Sequence, residues 1–275
     1  MPLLPPGWRV LLLAAIALSL PVITGIVWLF LTGSFSEVHG LVPAGPLAIR
    51  NWRFLWESSI GSRPPIYVPL LNSLVFSVVV AAVVVVVASM AAYAISRLSF
   101  PGRTMYLGLA LVLHAFPAVS LIIAIFYILR LLGLFDTLTG VILVKASLEL
   151  PLGIWLMKGF FDSLSWEMEM AALVDGMSRW TLFWKIALPL VRPGVLALGT
   201  FSLLSAWGEF ILPFTLIVST RSWTMALYLQ SFLGEVFTDY RMAAAVGLFY
   251  ALPVVVLFLL GQRYLLNVYS GGVKG

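Results

Sequence analysis

Residues 167–189 read EMEMAALVDGMSRWTLFWKIALP, the only long polar interruption in the second half of a very apolar chain. Glu167, Glu169, Asp175, Arg179 and Lys185 stand here between two stretches of membrane-grade hydrophobicity, 151–161 and 190–218. Ser165, followed by acids in the next turn, predicts a helix start, because an oxygen cap and negative charge suit the free N–H groups of a first turn. Ala171 and Ala172 are small enough to let a partner surface approach closely. Asp175-Gly176 predicts the end of that helix, since glycine tolerates a left-handed cap. Leu188-Pro189 predicts a restart, with proline in a first turn. The stretch is thus a short water-exposed helix hinged between two lipid-embedded segments. It fits either an ordinary loop between membrane helices or a handle gripped by another protein.

Outward from this stretch, composition fixes the class. The 275 residues are 62% hydrophobic and 10% charged, with a mean hydropathy of +1.08. Average usage is about 25% charged, so the chain is an integral membrane protein. It has no cysteine, which excludes disulfides, thiolate metal sites and thiol nucleophiles. His39 and His114 are too few and too far apart for a zinc pair, and no catalytic or metal-ligating set stands out. The net charge of +5 is scattered without a Lys/Arg run, so it suits loops facing anionic lipid and not nucleic acid. Arg9 precedes a long apolar run without a small-residue cleavage site, which predicts a retained first span and not a signal peptide.

A membrane-spanning helix needs roughly 20 apolar residues. Six stretches qualify: 10–32, 69–95, 105–132, 139–161, 190–218 and 242–266. The fold class is all-α and polytopic with six transmembrane helices. With the N-terminus inside, the inner segments carry nine basic residues (Arg9, Arg97, Arg103, Lys158, Arg179, Lys185, Arg192, Arg263 and Lys274), against six outside, with Lys145 within a span. The bias places both termini and the 167–189 loop on the cytoplasmic side.

Several positions inside the spans leave two readings open. Phe116-Pro117 predicts a kink in the third span that frees a carbonyl. Nearby His114 fits a buried hydrogen-bonded side chain or a relay. Lys145 and Glu149, four apart on one helical face, fit a structural bridge or an intramembrane functional pair. Trp207 and Glu209 fit either helix packing or a pathway lining in which the indole stacks on a sugar ring and the carboxylate accepts hydroxyls. Asn51-Trp52-Arg53-Phe54-Leu55-Trp56, in the long first outer loop, fits an interfacial amphipathic piece or a dock for an extracytoplasmic protein.

The residues Glu169, Ala171, Ala172, Gly176, Ile186, Leu188 and Pro189 resemble the EAA loop of ABC importer permeases. That pattern runs Glu-Ala-Ala, three residues, Gly, nine residues, Ile, one residue, Leu-Pro. One position departs: the family's glutamate directly before Ala-Ala falls on Met170, with Glu169 one residue early. Asn72-Ser73-Leu74, Ala92-Tyr93-Ala94, Phe100-Pro101-Gly102-Arg103 and Ala206-Trp207-Gly208-Glu209-Phe210 resemble the sugar branch of these permeases. The resemblance is closest to the smaller, maltose-type six-span subunit, covering nearly everything from Asn72 onward.

It implies a type I importer permease fold. A first helix and outer loop (1–68) precede a core of five helices (69–275), with a coupling loop at 162–189 and a tail at 267–275. It implies that Glu167, Glu169, Met170, Ala171, Ala172, Asp175, Gly176, Leu188 and Pro189 meet an ATPase. It implies that Gly272, Val273, Lys274 and Gly275 reach the ATPase dimer interface. Tyr228 and Gln230, in Trp223-Thr224-Met225-Ala226-Leu227-Tyr228-Leu229-Gln230, would approach a sugar-binding protein. The implied partners are a second permease subunit, two ATPase copies and that binding protein. ATP and magnesium belong to the ATPase; this chain, with no phosphate-cradling glycine loop ending in Lys-Ser/Thr, takes no cofactor and is not an enzyme. The expected function is passage of a di- or oligosaccharide through the cell membrane, driven by ATP hydrolysis in partner subunits. Rivals are a permease for oxoanions or peptides, which lacks the expected basic cluster, a membrane-embedded enzyme, and a secondary transporter, for which no internal repeat is visible.

Overall fold

A computed structural model describes residues 6–35, 48–58, 60–233 and 240–271. Among these there is no strand, and the helices follow in order: α1 (Pro6–Phe35), α2 (Tyr67–Arg97), α3 (Arg103–His114), α4 (Ala118–Leu131), α5 (Leu138–Asp162), α6 (Trp166–Val174), α7 (Arg179–Leu182), α8 (Leu188–Leu190), α9 (Arg192–Trp207), α10 (Ile211–Leu216), α11 (Met225–Leu233) and α12 (Tyr240–Gly271). By length and composition, Tyr67–Arg97 and Leu138–Asp162 are each able to cross a membrane. The bent pair Arg179–Leu190 and Arg192–Trp207 makes a third if taken as one span, and Ala118–Leu131 and Tyr240–Val256 are shorter apolar helices.

The chain divides into two units. The first comprises Met1–Ile66 and Tyr228–Pro253. In it Asn51 donates to the Ser34 carbonyl (3.0 Å), Trp52 stacks between Phe35 and Phe54, and the Arg63 guanidinium lies 4.0 Å from the Phe232 ring centre. The Asn51–Trp56 piece lies on the 3-10 turn Ile49–Leu55 and its C-cap, with Phe54 buried and the cap Trp56 exposed, which is the amphipathic pattern of the sequence.

The second unit comprises Tyr67–Leu227 and Val254–Gly275, and its core is the packing of α2 on α5 and α9. Val80, Val84, Ala88 and Ala92 run down the buried face of α2 and meet Ile154 and Met157 of α5 and Leu198 of α9. Gly153 makes this close approach possible: a Cβ there would lie 3.2 Å from both Ala88 and Val84 and 3.4 Å from Leu198. The valine-rich centre of α2 is helical although β-branched residues disfavour helices in water. In lipid the backbone has no water to bond and must satisfy itself.

Two expected spans are interrupted. The 105–132 span breaks between His114 and Ala118, where Pro117 lacks an N–H and holds an extended N-cap conformation for α4. The 190–218 span, expected to be continuous, ends α9 at Trp207 with Gly208 as the cap and resumes as α10 at Ile211. The expected restart at Leu188-Pro189 is also corrected. The helix restarts at Arg179, capped by the Ser178 hydroxyl, and passes through a π turn at Phe183–Ala187 before bending 78° beyond Leu190. A proline ring at 189 would crowd the carbonyl four residues earlier, and the widened turn relieves that crowding.

Between α4 and α5, Asp136 holds a left-handed φ of 60° and clamps the chain after α10. Its carboxylate accepts from the Val218 amide (2.7 Å), the Ser219 amide (2.8 Å) and the Ser219 hydroxyl. Partial burial pushes this carboxyl up, but the Ser219 hydroxyl, the two amides and the Arg221 charge outweigh it and hold it below its ordinary value of 3.8. A depressed carboxylate stabilises the fold above its unfolded pKa, and that stabilisation is lost as pH falls through the folded value. Asp136→Asn is therefore expected to melt below the wild type at pH 6. Melting curves of the purified protein should converge as the pH falls through the folded value.

Candidate functional site: a braced loop and a cavity at three helix breaks

The loop is built on α6. Ser165 occupies the N-cap position, but its hydroxyl makes no capping bond, contrary to expectation; Glu167 and Glu169 supply the negative charge of the first turn. The far end is capped as predicted. Gly176 takes φ +87°, its amide bonds the Leu173 carbonyl (3.1 Å), and the Met177 amide bonds the Ala172 carbonyl (3.0 Å).

Glu169 points inward and is 3% exposed. Its carboxylate accepts from Arg97 Nε at 2.6 Å and from the Tyr93 hydroxyl at 3.3 Å. Arg97, in the last turn of α2, also donates to the carbonyls of Phe161 (2.7 Å) and Leu164 (3.0 Å). It therefore ties together α2, the end of α5 and α6. The Tyr93 ring is held between Phe161 and Phe183, 5.4 and 5.1 Å away. Below it Ser96 and Lys158 both bond Asp162. Arg97 was not among the expected site residues. Its signal in the sequence is that it is the one cation closing the second span.

The other loop residues separate by face. Glu167, Ala171, Asp175, Gly176 and Pro189 are exposed, Met170 and Leu188 are half-buried, and Val174 is 86% exposed. Ala172, expected beside Ala171 on the contact face, is buried in the core, because adjacent helical residues point about 100° apart. Trp180 and Trp184 add exposed aromatic surface beyond the turn.

A cavity of about 680 Å³ lies at the break between α3 and α4, beside Pro151 inside α5 and near the break after α9. His114, Phe116, Lys145, Glu149, Phe201 and Glu209 line it. Lys145 Nζ stands 2.8 Å from Glu209 and 3.3 Å from Glu149. The i, i+4 pair is thus a triad whose third member comes from the α9–α10 junction, 64 residues away. Glu209 also accepts from the Leu212 amide (3.2 Å), so it caps α10 as well as binding Lys145. Neither oxygen of Glu149 has a hydrogen-bond partner among the described residues. His114 is hydrogen-bonded through Nδ1 to the Leu148 carbonyl (3.0 Å) but is exposed at the cavity, not buried. Trp207, expected with Glu209 on the pathway, is 3% exposed and lines no part of this cavity. The turn at Gly208 sends the two side chains to different surroundings.

At the other end of α2, Asn72 donates to the carbonyls of Arg221 (2.8 Å) and Trp223 (2.9 Å), and Ser73 accepts from the Met225 amide (2.7 Å). These bonds give the Asn-Ser pair its role: they seat the segment that leads into α11. Tyr228, expected to reach a binding protein, is 1% exposed and packs edge-on against Phe232. Gln230 is half-buried. The expected contacts at Gly272, Val273, Lys274 and Gly275 lie outside the described residues.

Residues 84–267 match the family described as binding-protein-dependent transport system inner membrane component. The chain is 30% identical to the trehalose transport system permease protein SugB of Mycobacterium tuberculosis, over 91% of this chain and 92% of that protein. It is also 30% identical to the diacetylchitobiose uptake system permease protein NgcG of Streptomyces coelicolor, over 92% of this chain and 84% of that one. In fold it is similar to a chain of a bacterial ABC transporter involved in the import of the acidic polysaccharide alginate. The TM-score is 0.78 at 19% identity, covering 96% of this chain and 99% of that one. Together with the braced loop and the helix-break cavity, these likenesses place the chain in the family of binding-protein-dependent ABC transporter permeases, as a multi-pass inner-membrane subunit that is not itself the ATPase.

Proposed function

We propose that this chain is one of two permease subunits of an importer for a di- or oligosaccharide. Six helical crossings leave both termini and the loop at 162–189 in the cytoplasm. In the organisation read from the sequence, 1–68 forms a first helix and outer loop ahead of the core at 69–275. The ATPase dimer grips the exposed face of α6 around Ala171, Val174, Asp175 and Gly176, and the tail at 272–275 reaches its interface. An extracytoplasmic binding protein delivers sugar from the opposite side, near Gln230. The relatives named for trehalose and diacetylchitobiose support the sugar class.

One observation carries the mechanical part of this reading. α6 presents Ala171 and Val174 outward beside the acid Glu167, while a buried Arg97–Glu169 ion pair fastens its inner face to α2. A handle pulled by a motor has to be rigid on one side and open on the other. Motion of α6 then passes through Arg97 to α2 and through the π turn and the 78° bend to α9, which ends at the cavity. Alternating access follows when ATP closes the motor and hydrolysis releases it.

Ala171→Arg puts a long cation where the motor approaches, and Gly176→Pro removes both the positive φ and the amide that caps α6. Each is expected to cut sugar uptake by proteoliposomes at least about tenfold, a loss of one or two close contacts, while ATP hydrolysis no longer responds to sugar. Full sugar-stimulated ATPase in both variants would refute the assignment.

A further inference from the structure

We infer that the Lys145–Glu149–Glu209 triad makes the cavity a selective site for non-anionic sugar, so that this subunit itself contacts substrate and turns acidic sugars away. This rests on the sugar-import reading above and deepens it.

Three features of the triad point to a ligand. The first is charge. Two carboxylates face one ammonium, so the triad carries a formal −1. In a cavity walled by low-dielectric protein a like charge is repelled more strongly than in water. A uronic acid would bring a second uncompensated negative charge, whereas a polyol or an amine-bearing sugar would not.

The second is unmet hydrogen bonding. Glu149 is 8% exposed, and both its oxygens lack a hydrogen-bond donor among the described residues. Buried acceptors left unbonded are rare in proteins and call for an explanation. Each carboxylate has room for about four donors. Lys145 leans to Glu209 at 2.8 Å and reaches Glu149 only at 3.3 Å, without hydrogen-bond geometry. Both oxygens of Glu149 are closed to water, so the carboxylate open to a sugar hydroxyl is Glu209, with Glu149 supplying negative charge behind it. Lys145 in turn offers a donor to ring or hydroxyl oxygens.

The third is shape. The cavity volume of about 680 Å³ lies within the range of ligand pockets. Phe116 and Phe201 line it together with the triad. Aromatic faces beside a few convergent polar groups suit the C–H face and hydroxyl rim of a pyranose. Such a wall binds a neutral sugar through its hydroxyls and an amino sugar through charge as well.

The test uses the assembled transporter, co-purified with its partner subunits, in lipid nanodiscs with the binding protein omitted. Equilibrium binding is measured for three radiolabelled probes: trehalose, de-acetylated chitobiose and an alginate disaccharide. The wild type is expected to bind the first two at least about tenfold more tightly than the third, the discrimination of one charge-assisted contact. Glu149→Gln with Glu209→Gln reverses the sign of the triad and is expected to bring the three probes within about threefold of one another. Glu149→Gln alone, which keeps shape and assembly, should move the ratio part of the way. Equal binding of all three by the wild type, or a ratio unmoved in both variants, overturns the inference. So does absence of binding while delivered sugar still drives ATP hydrolysis, and in that case the import function stands. If delivered sugar never stimulates ATP hydrolysis, the import reading falls and the inference falls with it.

Discussion

Arg97→Met is expected to abolish coupled uptake and to lower the melting temperature of the purified protein by roughly 10 °C. The substitution keeps length and apolar volume but leaves Glu169 as a buried carboxylate with only the Tyr93 hydroxyl for company. Breaking a buried ion pair from one side costs about 3–5 kcal/mol, because the remaining charge has lost water without gaining a partner. A change of that size shifts a domain of 150–250 residues by about 2–4 °C per kcal/mol. Loss of Arg97 also releases the Phe161 and Leu164 carbonyls, so the turn between α5 and α6 loses its fastening. Adding Glu169→Gln removes the stranded charge and should recover most of the melting temperature, since a neutral amide can still meet Tyr93. Uptake should not recover, because α6 remains untied from α2. Differential scanning fluorimetry and sugar uptake on the same preparations separate the two effects. A single Arg97→Met variant that melts and transports like the wild type would show that the pair is not the brace.

This brace was only half legible in the sequence. The apolar runs set out the helices of the core well, and Gly176 announced the end of α6 through the one conformation it takes without strain. What the sequence concealed was the direction in which side chains face. A helix of the lipid phase is apolar all round, so periodicity does not tell a lipid face from a core face. Glu169 and Met170 are neighbours, yet the acid is the buried one, because Arg97 waits for it 72 residues away. Ala172 and Ala171 divide in the same way. Trp207 reads as a pathway residue because an aromatic face suits a sugar ring, and Tyr228 as a docking residue through the family resemblance, whereas large rings also fill cores. The break at Gly208 was invisible for a related reason, since composition is equally apolar on both sides of it. The capping of α10 by Glu209 is what makes that break affordable to the backbone.

Lys145→Met should be more damaging than either of its partners' neutral replacements, and the order of the variants is the informative result. The methionine leaves Glu149 and Glu209 facing one cavity with no cation between them. Both are desolvated, so the expected loss is again about 3–5 kcal/mol, seen as a melting temperature roughly 10 °C lower. Glu209→Gln should cost much less, because the amide oxygen can still cap α10 and Lys145 still has Glu149. Glu149→Gln should be nearly neutral or mildly stabilising, since that carboxylate makes no hydrogen bond to lose and relieving it removes the surplus charge. A triple replacement, Lys145→Met with both glutamines, should return toward wild-type stability, as buried ionic groups replaced together often do. Fluorimetry on the series gives the coupling energies directly. If the triad only stapled α5 to the α9–α10 junction through Lys145 and Glu209, Glu149→Gln would leave the choice of sugar unchanged. If the second carboxylate is kept against its own cost, its removal leaves the fold as stable as before and changes which sugars the cavity accepts.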